Sequence, residues 1–329
     1  MNNTFKIHKW IFALCYTIAF TACSDDKNSI PSTENKEEGN VLVAVNVSTS
    51  AKTRIGDPGS DHQEDEQRWD NLSLYMVYPD GEVTEHTMTR AELESNNPVS
   101  FTTWVGTADL YAIAYASPQV HVKCNRPEDV YNLKTLNINS EEFTRLSPDE
   151  KRRYMQNIFA GSTLGISITR GSNQTVKITL NRIIAKVDVQ YDMADAFDGQ
   201  YKDVKLQDMT FYGPDYGYYF PKKAIQGTPQ QESVTGHYVC DNDISARNGR
   251  TYYYSYTYHP DLSDMRHQFT FDVNYTKKDG NTGSTKYTAK FGDSLNANAW
   301  YYVTLNIRGN NGFASSGSGE ITLTPKQGT

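Results

Sequence analysis

The chain has 329 residues, with 39 acidic against 32 basic side chains and a net charge of −7. That balance makes a polyanion such as nucleic acid a poor partner, and none is expected. Tyrosine is abundant at 23 residues, and with plentiful Thr, Val and Asn it favours strands and turns over helices.

In chain order, Lys6, His8 and Lys9 make a basic start, and Trp10 to Phe20 is an apolar run. The run falls short of the roughly 20 apolar residues of a permanent membrane helix. It has the length of an export-signal core and is followed by small residues, so 1–22 is expected to be removed. Phe20-Thr21-Ala22-Cys23 resembles a lipobox. That resemblance implies a diacylated Cys23 thiol, cleavage before it and acylation of the new amine. Three acyl chains anchor stably where one holds marginally. Residues 23–40 are rich in Ser, Asn, Lys, Glu and Pro, too polar to offset the entropy of ordering, and read as a disordered tether.

The first folded segment is Val41 to Val47, where period-two spacing puts Val41, Val43, Val45 and Val47 on one face. Ser48 to Arg68 is a polar loop with a Gly56-Asp57-Pro58-Gly59 turn. Its Asp57, Asp61, Glu64, Asp65 and Glu66 lack the order of a calcium loop and read as solvated. Leu72 to Tyr78, the turn Pro79-Asp80-Gly81 and the return Glu82 to Thr87 predict a hairpin. Val99 to Val105 and Leu110 to Ala116 predict two more strands. Ser147-Pro148-Asp149-Glu150 is a capping box with Pro at the first helical position. It predicts one short helix carrying Tyr154 and Ile158 on its apolar stripe.

Strands resume at 164–169 and 175–180. Asn181 to Tyr191 opens a second set, completed by 204–212, 252–258, 269–277, 285–291 and 300–307, with Asp279-Gly280 as a further hairpin turn. The pattern predicts a mostly β chain of two antiparallel β-sandwiches, over 41–180 and 181–308, with the helix in the first. Residues 309–329 begin rich in Gly, Ser and Asn, which makes them flexible. They end in a small strand pattern with Ile321 and Leu323 on one face. Cys124 and Cys240 fall one in each sandwich, and the sequence leaves their pairing open.

Chemistry-bearing motifs are sparse. The histidines show no HExxH or paired-ligand spacing, the cysteines form no CxxC pair, and no metal or cofactor is expected. Ser162 follows Gly161 but lacks a nucleophile elbow, so no catalytic residue is assigned. Tyrosines cluster at Tyr216, Tyr218 and Tyr219, and again around Tyr254 and Tyr256. Two readings stand side by side: half-buried sheet residues, or a stacking platform for a glycan or a protein contact.

Four stretches taken in order carry a family resemblance: the Val-rich strand ending in Lys52-Thr53-Arg54; Asn71 to Gly81; Asn181 to Val189; and Asn298 to Leu305. With the lipobox they resemble the fimbrillins, the type V pilin subunits of Bacteroidota. The resemblance implies Greek-key, transthyretin-like sandwiches and a fimbrial lipoprotein of the outer membrane serving adhesion. The acidic Asp25-Asp26 after Cys23 resembles the surface-export signal of such lipoproteins. In shaft subunits of the family a protease cuts after the first strand, and Arg54-Ile55 matches that site. Burying four valines stabilises by about 6–8 kcal/mol, so removing their strand leaves an apolar groove for a strand of the next subunit. Ile321 and Leu323 mark the candidate donor. If Arg54 is an ordinary loop arginine and is never cut, the chain resembles the family's anchor subunits. The implied partners are other fimbrial subunits, the membrane through the lipid, and a host or bacterial surface glycan or protein. Asp293-Ser294-Leu295 resembles an O-glycosylation acceptor at Ser294. The competing reading is a monomeric surface lipoprotein that binds glycan through its tyrosines.

Overall fold

The computed structural model describes residues 40–49, 68–116, 122–171, 174–193, 200–221, 236–244, 248–258, 267–291, 295–307, 318–323 and 326–327. Its first sheet contains β1 (Asn40–Thr49), β2 (Asn71–Val77), β3 (Val83–Thr89), β4 (Val99–Trp104), β5 (Gly106–Tyr115), β6 (Phe159–Ile168) and β7 (Thr175–Arg182). They run in the order β3-β2-β5-β6-β7-β1-β4. Among the described residues β6 and β7 are joined by two pairs, Phe159 with Arg182 and Ala160 with Asn181. At that seam the sheet folds over on itself. The two layers share a core that includes Val43, Val45, Leu72, Leu74, Leu110 and Ile178. The predicted hairpin turn forms at Gly81, whose φ of 93° suits glycine, and the Tyr78 N–H donates to the Glu82 carbonyl at 3.0 Å.

The second group comprises β8 (Ile184–Asp192), β9 (Tyr201–Gly213), β10 (Gly236–Ile244), β11 (Asn248–Tyr256), β12 (Gln268–Lys277), β13 (Thr282–Phe291), β14 (Trp300–Asn306), β15 (Ser318–Leu323) and β16 (Lys326–Gln327). One sheet is ordered β10-β9-β12-β13-β15 and the other β11-β8-β14-β16. Val187, Val189, Leu206, Phe211, Phe269 and Val303 lie in the core between them. Period-two apolar alternation is enough to build this face, since successive strand residues point to opposite sides.

Among the described residues four helices accompany the strands: α1 (Arg90–Asn96), α2 (Pro127–Tyr131), α3 (Glu141–Thr144) and α4 (Pro148–Gln156). The predicted helix is α4. The Ser147 hydroxyl accepts from the Glu150 N–H at 3.3 Å and the Glu150 carboxylate accepts from the Ser147 N–H at 2.8 Å. The expectation of a single helix is corrected. Each of α1, α2 and α3 buries one apolar residue, Leu93, Val130 and Phe143 respectively, which is too few to write a helical period. The sheets are mostly antiparallel, as expected, with parallel neighbours at three places. β1 with β7, β13 with β15, and β14 with β8 pair in parallel. Parallel partners need long crossovers and leave no local hairpin signal.

A third core lies on the outer face of β2 and β5. Tyr75, Ile113, Val130, Phe143 and Tyr154 pack there with Tyr219, Tyr254 and Tyr256. It explains why β2 is buried along both faces from Leu72 to Val77.

Candidate functional site

The first strand sits inside its sheet. β1 pairs antiparallel with β4, from Asn40 opposite Trp104 to Val45 opposite Val99. On its other side it pairs in parallel with β7, from Ala44 opposite Thr175 to Thr49 opposite Leu180. Val43, Val45 and Val47 are buried, Val41 is half-buried, and Leu42 on the opposite face is exposed. Three fully buried valines contribute about 5 kcal/mol. Beyond the last pair with β4 a side chain takes over. Asn97 accepts from the Val47 N–H at 3.3 Å and donates its amide to the Val47 carbonyl at 3.2 Å. Taking β1 away therefore opens a slot with ladder groups on both walls and an apolar floor, which is costly to leave empty.

The candidate donor occupies a different position. Among the described strands β15 lies at the edge of its sheet, with Ile321 opposite Ala289 and Leu323 opposite Phe291 of β13. The segment expected to be a flexible tail thus contains a strand paired within its own chain. Cys23, Arg54, Ile55 and Ser294, with the acidic loop from Asp57 to Glu66, lie outside the described residues.

The tyrosines do not form an exposed platform. Tyr216, Tyr219, Tyr254 and Tyr256 are buried, and Tyr218 is half-buried. Lys134 places its ammonium 4.5 Å from the centre of the Tyr216 ring. Gln156 donates to the Tyr254 hydroxyl at 2.7 Å, and the Leu136 N–H donates to Tyr154 Oη at 2.7 Å. Burial holds the Tyr154, Tyr219 and Tyr256 hydroxyls well above the usual tyrosine pKa. Their charged forms are disfavoured in this setting. Of the two readings, the buried one fits Tyr216, Tyr219, Tyr254 and Tyr256, which are core residues and not an exposed stacking platform, while Tyr218 stays half-buried. β11 supplies both sides, since Tyr253 stacks on Phe211 at 4.5 Å in the second sandwich while Tyr254 and Tyr256 face the third core.

Other reactive groups are buried too. Cys124 carries a free thiol, which loss of solvent, with Glu85 nearby, pushes up to about 12. His267 is buried with Nδ1 3.1 Å from the Ser255 hydroxyl. Among the described residues no group of three or more His, Cys, Asp or Glu side chains is placed to hold a metal ion.

Among solved structures, a proposed cell adhesion protein from Parabacteroides distasonis is 14% identical, with a TM-score of 0.54 over 88% of this chain and 96% of that one. A second proposed cell adhesion protein, from Bacteroides eggerthii, is 12% identical, with a TM-score of 0.54 over 82% of this chain and 86% of that one. The chain has their fold. A fimbrilin from Porphyromonas gingivalis aligns at 12% identity and a TM-score of 0.45, over 82% of this chain and 90% of that one. No family model and no curated protein matches the sequence. At these identities the likeness concerns the fold.

Proposed function

We propose that the chain is a surface-exposed lipoprotein of the outer membrane, held through Cys23, which serves adhesion as a fimbrial subunit. It either polymerises by strand exchange or anchors a fimbria. The observation that carries this reading is the seat of β1, which is bound on both sides and buries three valines. Such a strand is integral to its sandwich, yet it is joined to the rest of the chain by the segment that contains Arg54. A cut there severs the covalent link and leaves every residue of β1 joined to the next. The vacated slot then favours a strand from a second copy, and head-to-tail repetition that does not close makes a filament. The fold shared with two proposed cell adhesion proteins supports the adhesive part of the reading, and the four sequence stretches similar to fimbrillins support the fimbrial part.

The same reading divides the chain into sandwiches over 41–180 and 181–308 with a tail over 309–329. It is supported by sheets drawn respectively from β1–β7 and β8–β16. Mass spectrometry of the protein released from intact cells tests the mechanism. A mature chain starting at Ile55 is expected for a polymerising subunit, and an acylated Cys23 with Arg54 uncut for an anchor. A chain that starts elsewhere and carries no lipid would sink both.

A further inference from the structure

Where β6 and β7 part lies a cleft of about 330 Å³. Pairing between the strands ends at Ala160 and Asn181. Gly161 then lets the two backbones cross closely, because a Cβ at that position would stand 2.2 Å from the Thr179 carbonyl oxygen. Past the crossing, the Thr163 hydroxyl donates to the Lys177 carbonyl at 2.8 Å, so a side chain replaces the ladder where the backbone no longer reaches. The cleft is therefore built into the seam of the first sandwich.

Its two walls differ in chemistry. One presents Ser162, Lys177, Thr179 and Asn181, all on outward positions of their strands. Thr179 Oγ1 also lies 3.4 Å from the Ser48 hydroxyl of β1. The other wall is formed by Phe220 and Tyr258, whose placement is fixed by the neighbouring backbone. The Tyr218 N–H donates to the Tyr258 carbonyl at 2.6 Å and the Tyr219 N–H to the Leu133 carbonyl at 3.1 Å. Among the described residues, none that lines the cleft is acidic, although the chain carries 39 acidic side chains. One ammonium, two hydroxyls and an amide face an aromatic wall. A carboxylate suits the ammonium, an array of hydroxyls suits the Ser, Thr and Asn row, and an apolar ring face suits the aromatic wall. A sugar acid combines all three.

We propose that this cleft binds an acidic saccharide. Lys177 meets the carboxylate, Ser162, Thr179 and Asn181 hold ring hydroxyls, and Tyr258 lies against the apolar face of the sugar. The inference names a ligand class for the adhesive reading and rests on it for its use in the cell. Binding itself does not depend on strand exchange, so the two can fail separately.

The test is isothermal titration of the full chain in detergent with tetragalacturonate, sialyllactose, neutral cellotetraose and oligoglutamate. At least one of the two acidic sugars is expected to bind, and cellotetraose at least about tenfold more weakly, since it lacks the charge-assisted contact. Lys177→Gln is expected to weaken acidic-sugar binding by about tenfold or more, and Tyr258→Ala likewise through lost stacking, while Tyr258→Phe keeps it. Lys177 is exposed, so an unchanged melting temperature in K177Q shows that the fold is intact. Failure of both acidic sugars, unchanged affinity in K177Q, or oligoglutamate binding as tightly as the sugars overturns the proposal. Each of those results leaves the mature N-terminus, and with it the strand-exchange reading, untouched.

Discussion

β1 and β15 carry similar apolar alternation but are held in opposite ways. β1 lies inside its sheet with six residue pairs on each flank, whereas β15, among the described strands, lies at an edge with six pairs on one flank. Releasing β1 breaks two ladders and uncovers a core, and releasing β15 breaks one. Strand pattern alone therefore does not set how firmly a strand is held; the number of neighbours does. In the strand-exchange reading this asymmetry suits the two roles, because the strand that leaves must be severed and the strand that donates must let go unaided.

The comparison can be broken most directly at Val45, which is fully buried. Val45→Asp places a carboxylate in the core and is expected to cost about 4 kcal/mol or more, read as a large fall in the urea midpoint. Removing 318–329 is expected to cost only about 1–2 kcal/mol, as for a locally opening edge segment. Equal losses would dissolve the contrast.

The next effect separates the two sandwiches by pH. Burial pushes the His267 imidazole in the second sandwich down to about 4, so the folded state favours the neutral ring. Between about 4 and 6.5 the unfolded chain binds the extra proton, and stability falls as pH drops through that window. Above it stability is full, and below it the loss levels off at about 3 kcal/mol. Denaturation at pH 7 and pH 4.5 should show this loss in the native chain and less of it in His267→Gln. A pH profile identical in the two would remove His267 as the cause.

The smallest effect concerns the end of β1. Asn97→Ala removes both side-chain bonds to Val47 and is expected to cost about 1 kcal/mol. Hydrogen exchange of the Val47 amide should rise with it. Unchanged protection there would mean that the two ladders hold the strand without this clamp.

Much of this architecture is local and was legible in the residues. The Val41–Val47 alternation, the Pro79-Asp80-Gly81 turn and the Ser147–Glu150 box each encode their element within a few positions. What the sequence hides is long-range. The parallel pairing of Ala44 with Thr175 joins segments with no shared signal, and β10 lacks a clean alternation. The Thr89–Glu92 capping box was a readable mark of α1, but one buried leucine gives it no stripe. The tyrosine run left two readings open, and the buried one holds for a physical reason. A strand covered on both faces buries both phases of its alternation, so Tyr253, Tyr254 and Tyr256 all became interior residues. The cleft at the β6–β7 seam was invisible because it is made by two strands diverging, and Gly161 next to Ser162 reads as an ordinary dipeptide until the Thr179 carbonyl is seen beside it.

The mixed surroundings of β1 also impose an orientation. Its flanks differ, one neighbour running against it and the other alongside. A segment laid into the same seat backwards would meet β4 in parallel and β7 antiparallel, and every amide would face a displaced oxygen. The seat thus discriminates heading as well as greasiness. If successive copies do fill it, each must enter with its amino end beside Trp104, and the resulting fibre acquires a single polarity from base to tip.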